Sequence, residues 1–191
     1  MVGMIDSYWY ELPPGPFVTV VADPPWRYND KLGDGPRGAE AHYPTMPVGE
    51  IMCVPVANIM ADNAHLYLWC TNAFLIEAHY VMAAWGFQKQ TVLTWVKGRI
   101  IDGVLHQQIG MGHHFRNTTE HVLFGVRGKL PTLRKDMPTA FIAPKTRHSV
   151  KPDRLYEIVE QMSPGPYLEL FAGGERFGWT CVGRYGGYAC P

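Results

Sequence analysis

The chain has 191 residues, 47% of them apolar and 18% charged, with a formal net charge of zero. That size and composition fit one globular domain with a good core and exclude a disordered chain. No apolar run approaches a membrane span, no leader-like segment opens the sequence, and the four cysteines form no C-x-x-C pair, which points to free thiols in the cytoplasm.

Residues 1–16 are polar and Pro-rich and read as an irregular arm of a single domain spanning 1–191. Phe17 to Ala22 is short and β-branched, the pattern of a buried strand. It runs directly into Asp23-Pro24-Pro25-Trp26, which places a carboxylate at a strand's carboxyl end, where open α/β sheets hold ligands. Two prolines supply carbonyls and no N–H donors, so the turn offers acceptors to a donor such as an exocyclic amine. Trp26 adds a flat face for a base. A plain strand-end turn accounts for Asp-Pro-Pro equally well, because these are ordinary turn residues.

Residues 27–46, rich in Gly and Pro, read as a substrate-binding loop, with Tyr28 and Tyr43 as stacking candidates. A short helix follows from about Pro47 to before Pro55, then a strand from His65 to Cys70. Asn72 is placed to cap a helix to about Trp85 that buries Phe74, Ile76, Tyr80, Val81 and Ala84 and ends at Gly86. Gln90 to Val96 is a third strand and 98–118 a second loop, whose adjacent His113 and His114 lack the spacing of metal ligands; no metal is expected. Asn117, near the end of that loop, joins the substrate-binding candidates. Thr119 to Val126 is a fourth strand, 130–150 a third loop, and Pro152 opens an amphipathic helix ending near Ser163. Tyr167 to Phe171 and Trp179 to Val182 are the last strands. Strands alternating with helices predict a doubly wound α/β sheet.

Charge is unevenly spread. Residues 1–86 hold 3 basic and 9 acidic side chains, whereas 127–154 hold 8 basic and 2 acidic. The basic segment reads as a phosphate-contacting surface, with Lys145, Arg147, His148 and Lys151 its expected members. A solvated, charge-rich loop would give the same composition.

Asp23-Pro24-Pro25-Trp26, Tyr43-Pro44-Thr45-Met46, Leu66-Tyr67-Leu68-Trp69, Trp95-Val96-Lys97, Thr119-Glu120-His121, Gly125-Val126-Arg127-Gly128, His148-Ser149-Val150-Lys151-Pro152-Asp153 and Glu169-Leu170-Phe171-Ala172 follow in that order. This ordered set, spread over about 17–184, resembles the DPPW adenine methyltransferases, a family that includes the catalytic subunit of the eukaryotic mRNA adenosine methyltransferase. The resemblance implies a Rossmann-like class I fold dependent on S-adenosylmethionine, with permuted motif order, and methyl transfer to the adenine N6 amine. By that resemblance Asp23 and the Pro24 carbonyl hold the target amine and the cofactor's amino group, with Pro25 and Trp26 completing the motif. Arg127 would stand near the cofactor carboxylate, and Glu169, Leu170, Phe171, Ala172 and Gly173 would border the cofactor. Gly173 departs from the Arg of many bacterial relatives, and Gly183-Arg184 from their Gly-Asn. A compact chain resembles the bacterial and phage members, which favours DNA over RNA, and analogy points to a homodimer. A cytosine N4 methyltransferase and an inactive scaffold subunit are the rival readings.

Overall fold

The computed structural model describes residues 12–28, 45–110, 114–146, 150–183 and 188–189. Among the described residues, nine strands form one sheet: β1 (Phe17–Ala22), β2 (Met60–Cys70), β3 (Gln88–Ile101), β4 (Val104–Gln107), β5 (Thr119–Arg127), β6 (Ala140–Ala143), β7 (Tyr167–Ala172), β8 (Trp179–Gly183) and β9 (Tyr188–Ala189). Their order is β4-β3-β5-β2-β1-β7-β8-β9, with β6 also paired to β3. The helices are α1 (Val48–Cys53), α2 (Leu75–Ala84) and α3 (Asp153–Met162). None is long and apolar enough to cross a membrane.

Period-two alternation divides each strand between two cores. One face of the sheet carries Val20, Ala22, Leu66 and Leu68, packed with Ile51 of α1 and Ala78, Val81 and Met82 of α2. The other carries Val21, Tyr67, Trp69, Leu93 and Trp95, packed with Leu155, Ile158 and Val159 of α3. The i, i+3, i+4 spacing of those three apolar residues gives α3 its buried stripe. β1 and β7 are mostly apolar and buried on both faces because both faces are covered, with Thr19 and Glu169 their buried polar members.

β1 lies between β2 and β7, parallel to both: Ala22 pairs with Leu68 on one side and with Leu170 on the other. β5 runs antiparallel to β2 and β3. The ends of β1, β2, β3 and β7 and the start of β5 therefore share one edge of the sheet. This edge carries the site.

Several boundaries differ from the expectations. β2 starts at Met60, five residues before His65. Asn72 caps nothing: its side chain receives His121 Nε2 at 2.6 Å instead, and α2 buries Ala78, Val81 and Met82 while Ile76 and Tyr80 are exposed. Gly86 (φ +82°) does end that helix. Residues 98–118 are not one loop. β3 continues to Ile101 and turns through Asp102 (φ +51°) and Gly103 (φ +78°) into β4. Two successive positive φ values make the two-residue turn that matches strand twist, and Asp-Gly is its favoured sequence. The third loop likewise contains β6, which lies parallel to β3 from Thr94 to Lys97.

A buried polar cluster pins β2 to the end of α3. His65 is fully buried, with Nε2 on the Leu130 carbonyl at 3.0 Å and Nδ1 on Ser163 Oγ at 2.7 Å. A carbonyl only accepts, so Nε2 carries the proton, Nδ1 accepts from Ser163, and Tyr67 donates to Ser163 Oγ at 2.7 Å. Burial lowers the His65 pKa, opposed in part by the Leu130 carbonyl, and pushes the Tyr67 hydroxyl up to about 12. A folded-state pKa below the unfolded one means the unfolded chain binds the proton more readily. The stability from neutral His65 is full above the unfolded value of about 6.5 and is lost as pH falls towards the folded one. Thermal denaturation of wild type and His65→Gln should show a stability difference that narrows from pH 7.5 to 5; a constant gap would mean His65 does not titrate differently on folding.

Candidate active site

Asp23 is the first residue beyond β1. Its N–H reaches the Leu170 carbonyl of β7 at 3.3 Å, which holds the start of the turn against the neighbouring strand. The turn is closed by Trp26 N–H on the Pro24 carbonyl (2.9 Å) and stapled by Met46 N–H on the Pro25 carbonyl (2.8 Å). A carbonyl has two lone pairs, so the Pro24 oxygen keeps one beyond its bond to Trp26.

The aromatic residues of the motif have a different task from the one expected. Trp26 is buried, stacks on Phe74 (5.2 Å between centroids, 19° between planes), and donates Nε1–H to the Trp69 carbonyl at 3.1 Å. A base has no access to that face, so Trp26 fixes the turn and is not a stacking platform. Tyr28 is half-buried, edge-on to Phe74, with its hydroxyl 2.7 Å from that of Thr71. Tyr43 lies outside the described residues.

Along the edge from β1 to β3 runs a row of alternating charges. Lys151 Nζ is 2.9 Å from Asp23 Oδ1 and 3.4 Å from Glu120 Oε2. Glu120 Oε1 is 2.7 Å from Lys97 Nζ. Each ammonium stands over an indole, Lys151 over Trp69 and Lys97 over Trp95, both 5.2 Å from the ring centroid. Burial would raise the Glu120 carboxyl, but Lys151 and Lys97 beside it outweigh that and hold it below the usual carboxylate range. Lys151 is thus an internal counterion at Asp23. Neither Glu120 nor Lys97 stood among the expected site residues. The signal was present in the sequence: charged residues in otherwise apolar strands stay buried only when paired.

On the other side of Asp23, β7 supplies Glu169, which is buried and accepts the Tyr156 hydroxyl at 2.6 Å, with Arg176 Nε 4.0 Å from its other oxygen. Leu170 is buried on β7 and gives its carbonyl to Asp23. Phe171 has φ +62°, rare for a bulky residue, and the β7–β8 register slips between Leu170 and Ala172. Strained backbone of this kind costs about 1–3 kcal/mol and concentrates at functional sites. Beyond Ala172 the chain opens: a Cβ on Gly173 or Gly174 would meet nothing within 4 Å.

Among the described residues, the basic segment is divided: Lys145 and Lys151 stand at the Asp23 edge and Arg127 does not. Arg127 pairs with Ala64 of β2, four residues below the Leu68 that pairs with Ala22. That is about 13 Å down the sheet. Its guanidinium is spent on the Ala57 carbonyl at 2.8 Å. It stands at the opposite edge from Asp23, and the expected role at the cofactor carboxylate is not supported by its position. Arg134 and Arg154 pair with Asp136 and Glu157. Lys145 does reach the Asp23 edge, just past β6, where Gln108 brackets its backbone N–H (2.6 Å) and carbonyl (3.3 Å). Asn117 is exposed near the start of β5, 3.5 Å from Asn72 Nδ2. Arg147, His148 and Arg184 lie outside the described residues.

A mixed sheet covered by helices on both faces, with a carboxylate, a carbonyl and a strained glycine-adjacent strand end gathered at one edge, defines an α/β protein whose candidate site lies at its strand ends. The chain belongs to the MT-A70 family, whose model matches residues 17–185. It is 27% identical to the type II methyltransferase M.MunI of Mycoplasma sp over 93% of this chain and 81% of that protein. It is 28% identical to the N(6)-adenosine-methyltransferase catalytic subunit METTL3 of Homo sapiens over 82% of this chain, and 28% identical to an MT-A70-like protein of Arabidopsis thaliana over 89%. The chain spans only about a quarter of those two eukaryotic proteins, 26% and 24%.

Lys151→Met would leave the Asp23 and Glu120 carboxylates facing one another without their shared cation. Denaturant unfolding should show a loss of about 2 kcal/mol, while Lys151→Arg keeps most of it. An unchanged midpoint would show that solvent already screens the row.

Proposed function

We propose that this chain transfers a methyl group from S-adenosylmethionine to the N6 amine of adenine in DNA. The observation that carries the reading is the Asp23 carboxylate beside the Pro24 carbonyl, two acceptors at the edge where the parallel strands end, within an MT-A70 domain. DNA is favoured because M.MunI is covered over 81% of its length. The strand that ends at Asp23 precedes the Glu169 strand in the chain and neighbours it in the sheet, which supports the permuted motif order.

The residues fit the cofactor. Its ammonium and sulfonium are cationic, and Asp23 just past β1 and Glu169 on the adjacent β7 are carboxylates. Past Ala172, Gly173 and Gly174 leave room beside the backbone for a ligand to approach. Asp23 and the stretch from Glu169 to Gly173 would hold it, and Lys151, the cation beside Asp23, would replace Arg127 as partner for its carboxylate. When bound, the cofactor supplies a methyl group already activated by the positive sulfur.

The amine of adenine is a weak nucleophile because its lone pair is delocalised into the ring. Asp23 and the Pro24 carbonyl each accept one of its hydrogens, which favours a pyramidal nitrogen with a freer lone pair. The rigid Pro24-Pro25 turn fixes the direction of that lone pair, so orientation supplies much of the rate. Lys151, 2.9 Å away, holds the Asp23 carboxylate in place. The nitrogen loses a proton after transfer, to Asp23 or to water. A base in a duplex must swing out to reach this edge. Lys145 and the loop around Asn117 stand where the phosphates next to it would pass.

Incubation with labelled cofactor and DNA, followed by nucleoside mass spectrometry, should yield N6-methyladenine. Asp23→Ala should lower turnover at least about a hundredfold with a smaller loss of cofactor affinity. N4-methylcytosine as the product, or an active Asp23→Ala, would overturn the assignment.

The β3–β4 ribbon supports self-association. It extends past the last β3–β5 pair, Val96 with Thr119, and exposes Ile100, Ile101, Val104 and Leu105 on an edge strand. Exposed apolar edges of this kind are contact surfaces. Sedimentation velocity should show a dimer that Ile101→Ser with Val104→Ser dissociates; a wild-type monomer at tens of micromolar would contradict it.

A further inference from the structure

Lys97 lies on β3 and Glu120 on β5, and the row of ion pairs links both to Asp23 through Lys151. The two oxygens of Glu120 are divided between two lysines, Oε1 at 2.7 Å from Lys97 and Oε2 at 3.4 Å from Lys151. That division fixes the plane of the carboxylate and points its second oxygen at Lys151. The floor beneath is rigid: Trp69 and Trp95 meet edge to face at 6.0 Å and 77°, and each carries one ammonium. Lys151 is therefore shared between two anions, closer to Asp23 at 2.9 Å than to Glu120.

We propose that Lys97 and Glu120 are positioning residues: their ion pair sets how the Lys151 ammonium is divided between Glu120 and Asp23, and so how strongly the Asp23 carboxylate is neutralised during methyl transfer. The kinetic part rests on the function proposed above. The division works in opposite senses for the two residues. Without the Glu120 charge, Lys151 has Asp23 as its remaining partner in the row and binds it more tightly. Without the Lys97 charge, Glu120 turns to Lys151 and draws it from Asp23. Among the described residues, other charged or titratable groups around the row include Glu169 of β7, Tyr156 of α3, Arg176, Cys70 of β2, His121 of β5 and Lys145 past β6. They are common to all the variants and cancel in the comparison.

The experiment compares wild type, Glu120→Gln, Lys97→Met, Lys97→Arg and, as a control of equal charge change, Glu77→Gln on α2. The acid limb of kcat against pH should move down in Glu120→Gln and up in Lys97→Met, each by about half to one pH unit, with KM changing less than kcat. Lys97→Arg should return towards wild type and Glu77→Gln should not move. A second readout needs no substrate. NMR of the Lys151 ammonium should show faster hydrogen exchange with water in Glu120→Gln and slower exchange in Lys97→Met. Shifts that are absent, or of the same sign in both variants, would overturn the proposal and leave the pair a structural tie. A wild type that transfers no methyl group would sink the function while the ammonium signals still decide the positioning.

Discussion

An ammonium held between two carboxylates is the interaction on which the rest of the site depends. At 2.9 Å, Lys151 and Asp23 attract by on the order of 5 kcal/mol at an effective dielectric near 20, before desolvation is subtracted. A single pair so placed can break even or lose. Four charges alternating along Lys97, Glu120, Lys151 and Asp23 sum to zero, and each inner member has an opposite charge on both sides. The indoles of Trp69 and Trp95 replace water beneath the ammonium groups with polarisable surface. That is how acids and lysines can stand at the ends of strands whose other residues are apolar.

The sheet is what brings the row together. Its members come from β1, β3, β5 and the segment before α3, distant in sequence and adjacent only because those strands start or stop at one edge. The same edge carries the β7 end, where Phe171 holds a left-handed backbone while its side chain stays buried. A tight core fixes that conformation, and the chain emerges from it turned towards open space at Gly173. The Asp23 turn and the Glu169-to-Gly173 strand end are thus set by neighbouring parallel strands, and a small change in their register would separate them.

Local pattern was enough for much of the fold. β1, α1, α3, β5, β7 and β8 follow from β-branched runs, the proline boundaries and the Leu155-Ile158-Val159 stripe, and Asp23 at a strand end was legible for the same reason. Direction was not. β5 reads as a strand, but its antiparallel sense is set by partners far along the chain, and that sense sends Arg127 to the edge opposite Asp23. The basic segment reads as one surface only while the chain is a line. Trp26 reads as a base platform because its type suits stacking; Phe74 and the Trp69 carbonyl, more than 40 residues away, take both its face and its N–H. The β3–β4 ribbon did have a local signal in Asp102-Gly103 between apolar pairs, hidden within a glycine-rich stretch that resembles a loop.

Hydrogen–deuterium exchange with and without S-adenosylmethionine tests the central claim most directly, because it locates the ligand without presupposing turnover. Binding at the Asp23 edge predicts slowed exchange in the segments around Asp23 to Tyr28 and Glu169 to Gly174, with no change around Arg127 to Lys129. Protection centred on Arg127, with the Asp23 turn unaffected, would contradict the account.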